Sequence, residues 1–590
     1  MKVFLDLWWY FKKERKQYGT GIFLLVLVSF LSLLPPYVVG VFVDHILDET
    51  LTQEIIWYWT GILFILAVLI YILRFLWRLL IFGSAIRLAR LLRNRLYEHF
   101  TKMSSSFYNK RRTGDLMAHS TNDIRAIEQT AGVGVLTLVD SLTMGGFVIL
   151  TMAITISWEL TLISLIPMPF MALMTSYYGT LLHKRFGKAQ EAFSSLNDKV
   201  QESVSGVRIT KTFGHENLEI ESFRDKSEDV VKKNISVAKV DALFDPTISF
   251  IVGISYFLSI YFGAQYVVAG TITIGELTSF TIYLGLLIWP MLAFGWLFNI
   301  VERGRASYGR VEKLLKEPQA ITDKDGAVSI PPEGDVKAHI QTVYYDNSQD
   351  PALQNILFSL KKGQTLGVVG KTGSGKTTLV KLFLREVEIN RGEILFGKHS
   401  LSAYTLDALR KSIAYVPQDH FLFSATIADN IAFGDPDASF SSLIKASRLA
   451  SVHEDIIQLH KGYETVVGER GVTLSGGQKQ RISIARALLL DPEMLILDDS
   501  LSAVDAQTEE NILHALRKER RNKTTIITAH RLSAIKHSDL ILVLDEGKIL
   551  EKGSHEDLMQ QKNSWYKRMY EQQQLESLVN RGGRQDEAPR

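Results

Sequence analysis

Six long apolar runs constrain this chain more than any other feature of its sequence. A helix needs about 20 largely apolar residues to cross the hydrocarbon core of a bilayer. One such run could be a buried core helix, but six within 300 residues predict an all-α membrane domain with six transmembrane helices. The runs cover residues 19–43, 55–80, 133–157, 160–182, 243–269 and 274–300.

The second half of the chain has a different pattern. Beyond about residue 336 the sequence shows short β runs, turns and amphipathic helices, which predict an α/β domain. A chain of 590 residues is also too long for a single core. We expect an interfacial N-terminal helix at 1–18, a transmembrane domain at 19–305, a linker at 306–335, an α/β domain at 336–575 and a polar tail at 576–590.

Composition excludes several kinds of function. The net charge of +3 argues against a nucleic-acid binder, and no nucleic acid is expected as a partner. The chain has no cysteine, which excludes disulfides, thiolate metal sites and cysteine nucleophiles.

Basic residues predict the orientation in the membrane. Lys12, Lys13 and Arg15 precede the first run, whereas the loop between the first two runs has acids and no Lys or Arg. The connection between the second and third runs is again strongly basic. Because Lys and Arg favour the cytosolic side, we expect a multi-pass protein of the cytoplasmic membrane with both termini in the cytosol.

Two long connections, 81–132 and 183–242, have helical periodicity with glycine-containing breaks at 112–115 and 206–214. They are expected to extend the membrane helices into the cytosol as levers. Pro35, Pro36 and Pro290 should kink the first and last spans. Asp140, inside the third run, is a candidate substrate-cavity residue; the alternative is a paired structural acid facing water.

A phosphate-binding loop follows the apolar strand at 365–369. The segment fits G-x-x-x-x-G-K-[ST] between a strand and a helix, the context that this motif requires. Backbone N–H groups of such a loop cradle phosphates, while the lysine reaches the β/γ-phosphates and the last residue holds Mg²⁺. The predicted ATP-binding residues here are Gly370, Lys371, Thr372, Gly373, Ser374, Gly375, Lys376, Thr377 and Thr378.

A second apolar strand, 494–497, ends in Asp498 and Asp499. The first carboxylate is predicted to hold Mg²⁺ through water, together with Thr377. The second is placed to polarise the water that attacks the phosphate. ATP and Mg²⁺ are therefore the expected ligands.

Between these strands, the pentapeptide LSGGQ occupies residues 474–478, and through it the chain resembles the ATP-binding cassette exporters. Unlike a bare P-loop, this signature separates the family from other P-loop ATPases, and the six spans with two long connections match its membrane domain. The resemblance implies a dimer in which the P-loop of each subunit and the signature of the other enclose ATP. It also implies that Tyr345 stacks on adenine and that Gln418, in the Q-loop, is catalytic and binds Mg²⁺. Residues 468–471 would contact the membrane domain, Asp505 would lie in the D-loop and His530 would be the switch histidine. The signature residues that would contact the partner's ATP are Leu474, Ser475, Gly476, Gly477 and Gln478. Residues 114–116 and 211–214 fall where the family has its coupling segments.

One residue departs from the family pattern. Most hydrolytically competent members have glutamate where this chain has Asp499. The shorter side chain retracts the carboxylate by about 1.5 Å. The same substitution recurs in members that pair with a distinct subunit, so the resemblance implies a bacterial heterodimeric multidrug exporter whose partner carries the glutamate.

Other interpretations remain open. The runner-up is a homodimeric exporter of lipids or amphipaths, in which Asp499 still hydrolyses ATP slowly. A third is an ATP-binding membrane sensor that does not transport, which the intact Gln418, His530 and signature disfavour. Membrane lipid and small amphipathic substrates are the other expected partners.

Overall fold

The structure is a computed structural model that describes residues 2–345, 348–468 and 474–582. The chain forms two compact units. The helical unit comprises Met1–Thr101 and Arg112–Glu317, and the α/β unit comprises Lys102–Arg111 and Pro318–Arg590.

The helical unit is built almost entirely of long helices. Six segments of the described chain are long and apolar enough to cross a membrane, which confirms the predicted six spans: Arg15–Leu47, Gln53–Lys102, Thr113–Ile156, Trp158–Ser205, Glu216–Val268 and Ile274–Leu315. The helices are α1 (Lys2–Asp6), α2 (Trp8–Lys13), α3 (Arg15–Leu31), α4 (Leu34–Leu47), α5 (Gln53–Lys102), α6 (Ser105–Asn109, in the α/β unit), α7 (Thr113–Ala118), α8 (Ile124–Gln129), α9 (Val135–Thr151), α10 (Trp158–Leu165), α11 (Met168–Ser205), α12 (Val207–Phe213), α13 (Glu216–Val268), α14 (Ile274–Leu286) and α15 (Ile288–Leu315).

Proline breaks the first and last spans, as predicted. Pro35 and Pro36 lie in the first turn of α4, and Pro290 in that of α15. Proline has no N–H, so carbonyls of the preceding turn lose their helical partners and the helix bends there. Two side chains of α14 donate to carbonyls at the first break: Tyr283 Oη to Leu33 O at 2.6 Å and Ser279 Oγ to Pro36 O at 2.9 Å.

The second long connection is a helical hairpin. Helices α11 and α13 run on from their spans without interruption and are joined by the short α12. Gly206 and Gly214 flank α12, and Gly214 has φ +65°, a left-handed conformation that glycine adopts at low cost. The predicted break between these glycines is confirmed.

The α/β unit contains two sheets. Its strands are β1 (Val336–Val343), β2 (Leu353–Leu360), β3 (Thr365–Gly370), β4 (Arg391–Phe396), β5 (His399–Ser400), β6 (Ile413–Val416), β7 (Met494–Asp498), β8 (Thr524–Thr528), β9 (Leu540–Asp545) and β10 (Lys548–Gly553). The larger sheet has the order β10-β9-β3-β8-β7-β6, with β10 antiparallel and the other five strands parallel. The smaller sheet, β2-β1-β4-β5, is antiparallel.

Helices complete the α/β unit. They are α16 (Lys376–Phe383), α17 (Leu406–Ser412), α18 (Ile427–Ile431), α19 (Phe440–Leu449), α20 (His453–Gln458), α21 (Gly476–Leu489), α22 (Ala506–Glu519), α23 (His555–Gln560) and α24 (Trp565–Gly582). All residues of β7 and β8 are buried, as expected for parallel strands that are covered on both faces.

The short helix α6 groups with the α/β unit although its neighbours in sequence do not. Ser105 Oγ donates to Glu386 Oε2 at 2.9 Å. The predicted coupling segment at 114–116 lies at the start of α7, in the helical unit, and its coupling role stays a prediction. Helix α5 ends at Lys102 and α6 begins at Ser105, so the first helix break lies before the predicted break at 112–115.

Two boundaries also differ from the sequence-based expectation. Helix α15 continues to Leu315, through the first part of the expected linker, and α24 continues to Gly582, into the expected polar tail. Neither stretch contains proline before the helix ends, so nothing in the local sequence stops the helix earlier.

Candidate nucleotide site

The P-loop joins the end of β3 to the start of α16, in the strand–loop–helix arrangement that the motif predicts. Glycine is required at two of its positions. Gly375 has φ +98°, and a Cβ there would lie 2.7 Å from Leu353 Cδ2. A Cβ on Gly370 would collide with the carbonyl of Leu544. The loop therefore keeps its backbone amides close to the space in front of the N-terminus of α16.

Polar atoms of this loop fit a phosphate group. Lys376 Nζ donates to Gly370 O at 2.8 Å and to Lys371 O at 3.0 Å, which leaves one of its three N–H groups for another acceptor. The buried Ser374 Oγ has no hydrogen-bond partner among the described residues. Burial lowers the pKa of Lys376, while Asp499 and Asp498 oppose this shift and favour the charged ammonium.

Asp498 closes the buried strand β7. Its carboxylate accepts hydrogen bonds from Thr528 Oγ1 at 2.5 Å and from Tyr415 Oη at 3.2 Å. Burial and the charge of Asp498 raise the pKa of Tyr415, so the phenol stays a donor. These two bonds orient the carboxylate and leave lone pairs that suit a hard cation.

Asp499 follows directly and lies next to Gln418. Gln418 Nε2 donates to Asp499 Oδ2 at 3.4 Å. The backbone of Asp499 is left-handed, with φ +47°, and its N–H donates to Thr528 O at 3.0 Å. Aspartate tolerates this conformation better than most residues. Two of the predicted catalytic groups are thus neighbours.

Oxygen atoms of Thr377, Gln418 and Asp498 are of the type that Mg²⁺ prefers. The described residues contain no group of three His, Asp or Glu side chains that would bind a metal by themselves. This donor set fits an ion that is held jointly with nucleotide phosphates and water. When bound, Mg²⁺ would neutralise phosphate charge.

Tyr345 lies beside the P-loop helix. Its Oη is 3.1 Å from Thr378 Oγ1, which links the predicted adenine-stacking ring to α16. The side chain is about one-third exposed, at 37%. Because the hydroxyl of Tyr345 is held and the side chain is partly exposed, one face of its ring can stack on a base.

His530 is exposed in the loop after β8. Gln573, on α24, fixes this loop by two bonds that the sequence did not reveal: its Nε2 donates to His530 O and its Oε1 accepts from Leu532 N, both at 2.9 Å. Gln573 and His530 are 43 positions apart in the sequence, so local sequence patterns cannot predict this contact.

The signature begins α21. Ser475 and Gln478 form a capping box, because Ser475 Oγ accepts from Gln478 N at 3.3 Å and Gln478 Oε1 accepts from Ser475 N at 3.1 Å. Asp455, which sequence reasoning missed, accepts from Gln478 Nε2 at 3.3 Å and from Arg481 Nη1 at 2.7 Å. The signature turn is therefore held from the side by α20.

Helix α21, which the signature begins, also orients the D-loop. Gln480 Oε1 accepts from Ala503 N at 3.1 Å. A Cβ on Gly477 would lie 3.1 Å from Ala503 O, so the second glycine of the signature allows this close approach. Asp505 caps α22 by accepting from Thr508 N at 3.0 Å, a bond that lowers its pKa. Of the predicted contact segment 468–471, only Gly468 lies within the described residues.

Asp140 is partly buried on α9 in the helical unit. The charge of Arg74, on α5, acts on it electrostatically. Both the substrate role and the structural role remain predictions.

Comparison with known proteins agrees with this geometry. Residues 18–291 match the ABC transporter transmembrane region, and residues 353–502 match the ABC transporter family. The chain is 48% identical to the multidrug resistance-like ATP-binding protein MdlA of Escherichia coli, over 98% of each chain. It is 45% identical to the probable multidrug resistance ABC transporter ATP-binding/permease protein YheI of Bacillus subtilis, over 97% of this chain and 98% of the relative. A bacterial Atm1-family ABC exporter with ATP bound has a similar structure, with a TM-score of 0.77, 25% identity and coverage of 95% and 99%.

Proposed function

We propose, from the premise that this chain belongs to the ABC transporter family and is an ATPase-coupled exporter, that it is the slow-hydrolysing subunit of a heterodimer. The heterodimer would export hydrophobic or amphipathic compounds, multiple drugs among them. The observation that carries the proposal is Asp499, which occupies the position next to Gln418 where a longer carboxylate would reach further toward the nucleotide.

Geometry explains why the site should be slow. The aspartate side chain ends about 1.5 Å short of a glutamate. Its one hydrogen bond to Gln418, at 3.4 Å, is at the long end of the usual range. A group that positions and deprotonates a water contributes typically about 10²–10⁴-fold to rate, so a misplaced carboxylate reduces turnover strongly while ATP binding persists.

The remaining residues support binding and cooperation with a partner. The P-loop retains Lys376 and its glycines, Asp498 retains its orienting bonds, and the signature turn is capped and held by Asp455. This subunit would therefore hold ATP at its own P-loop and supply Leu474–Gln478 to the site of a partner that carries glutamate. Closure of the two ATP-bound domains would move the long helices and switch access to the substrate cavity.

The relatives and the membrane location support the proposed substrate class. Both compared relatives carry multidrug resistance in their names. The basic segment before α3 and the basic α5–α7 region support a cytosolic α/β unit, by the positive-inside rule. Asp140 would then interact with cationic substrates from within the third span.

ATPase activity measured on purified chain alone, and on the chain purified with its co-encoded neighbour, tests the proposal. We expect low activity from the chain alone and high, substrate-stimulated activity from the pair. High activity from the chain alone would contradict the heterodimer and favour a homodimeric exporter of lipids or amphipaths.

A further inference from the structure

A cavity of about 240 Å³ lies in the α/β unit at the edge of the larger sheet opposite the P-loop. Thr365 and Thr525, at the beginnings of β3 and β8, form part of its wall, whereas the P-loop follows the end of β3. Parallel strands begin at one edge and end at the other, so about 17 Å of strand separates this cavity from the nucleotide site.

Arg520 lines the cavity and is only 5% exposed. Its Nη2 donates to Pro492 O at 2.9 Å and to Thr524 O at 3.3 Å. Its Nε and Nη1 have no hydrogen-bond partner among the described residues. A buried guanidinium with unused N–H groups is costly, since each unsatisfied charged donor keeps the full penalty of its desolvation.

Nearby acids form no ion pair with this guanidinium, although the charges of Asp491 and Glu493 favour its protonated form. Asp491 pairs with Lys523 at 2.8 Å, and Glu493 pairs with Lys362 at 3.3 Å. Asp539, at the cavity wall, accepts from the backbone N–H of Thr365 at 2.7 Å. No ion pair to Arg520 occurs within the described part of the chain, so the buried cation has no acid in direct contact.

The surroundings add positive potential and an apolar floor. Arg517 and Arg521, both exposed, lie at the cavity, and burial together with Arg517 and Lys536 lowers the pKa of His537. Burial lowers the pKa of Arg520 to about 10, so this side chain stays charged at neutral pH. Apolar side chains complete the wall, namely Leu513, Leu516, Ile527 and Ala534.

We propose that this cavity is a binding site for a small organic oxyanion, a carboxylate or a phosphate monoester on a compact apolar body. The oxyanion accepts hydrogen bonds from the free N–H groups of Arg520, and the apolar body packs on the floor formed by α22 and β8. Charge-assisted bonds of this kind are about twice as strong as neutral ones, and guanidinium geometry suits both anions. Without such a ligand, an apolar residue of similar volume would stabilise this position better than arginine.

The test uses the full-length protein in detergent with saturating ADP, which occupies the P-loop. Thermal unfolding is followed with benzoate, with phenyl phosphate and with uncharged benzamide at equal ionic strength. A ligand that binds only the folded state raises the unfolding midpoint. We expect benzoate or phenyl phosphate to raise it saturably by about 2–4 °C, with the more effective of the two identifying the anion, and benzamide to have no effect.

Three variants locate the effect. Arg520→Met should abolish the shift, and Arg517→Met, at an exposed residue that folding tolerates, should weaken it. Arg410→Met, at an exposed arginine on α17, serves as the matched control and should keep the full shift. No saturable shift with either anion, an equal shift with benzamide, or a shift that survives in Arg520→Met would overturn the proposal.

Discussion

Gln418 donates its side-chain amide to Asp499, at 3.4 Å between Nε2 and Oδ2. This contact joins the loop after β6 to the end of β7, and it brings together two of the residues that the sequence predicted as catalytic. The backbone of Asp499 has φ +47°, where aspartate is tolerated better than glutamate. The short aspartate side chain therefore suits this backbone conformation, but its carboxylate extends less far toward the nucleotide than that of glutamate.

Lengthening this side chain should speed hydrolysis. We expect Asp499→Glu to raise ATPase activity of the chain alone by at least about 10-fold, because the carboxylate reaches the water position. The left-handed backbone should make the variant about 1 kcal/mol less stable, which does not offset the gain. Steady-state ATPase assays measure this, with Asp499→Asn as the control that should stay at or below the wild-type rate. An unchanged rate in Asp499→Glu would show that another feature limits the site.

The switch loop should depend on Gln573. Its amide makes two bonds to the backbone of the His530 loop, and Gln573→Ala removes both. In the Asp499→Glu chain, whose own site should hydrolyse ATP, we expect kcat to fall by about 3- to 10-fold with little change in KM, since each hydrogen bond contributes about 1 kcal/mol to holding the loop. Gln572→Ala, at the neighbouring exposed position of α24, is the matched control. A rise in KM alone would indicate a binding role instead.

The bond between Tyr283 and the proline break should stabilise the membrane helices. Tyr283 is buried, and its hydroxyl donates to Leu33 O at 2.6 Å. Tyr283→Phe leaves that carbonyl without this donor, so the variant should lose about 1 kcal/mol. The thermal midpoint of detergent-solubilised protein reports the loss. Tyr261→Phe, at a residue that is 52% exposed, should behave as wild type; similar losses in both variants would contradict the assignment.

Acidification should destabilise the α/β unit through His555. Its Nδ1 lies 2.9 Å from the buried Tyr566 Oη, and burial together with Lys536 lowers its pKa below the ordinary 6.5. The unfolded chain therefore binds a proton more readily, so stability from the neutral ring is present above about pH 6.5 and falls as the pH drops below it. We expect the unfolding midpoint of wild type to fall more than that of His555→Gln between about pH 7.5 and 5.5. Equal falls would rule out this contribution.

The sequence alone could predict the motifs that lie in one continuous segment of the chain. Gly370–Thr377 and Leu474–Gln478 are short segments whose conformation follows from their own residues, and the six spans follow from hydropathy alone. Contacts between distant segments could not be predicted in this way. Asp455 holds the signature from 23 residues away, and Arg520 looks in sequence like any other charged residue near a helix end. The hydrogen bonds of Asp455 and the burial of Arg520, which give these residues their significance, appear only in the fold.

The grouping of α6 with the α/β unit has a practical consequence. Lys102–Arg111 and Pro318–Arg590 form one compact body from two stretches of chain separated by more than 200 residues. A fragment that begins at Pro318 would lack Ser105, the hydrogen-bond partner of Glu386. Excision of the nucleotide-binding part by truncation alone would therefore leave Glu386 without this partner and uncover the surface that a distant segment of the intact polypeptide covers.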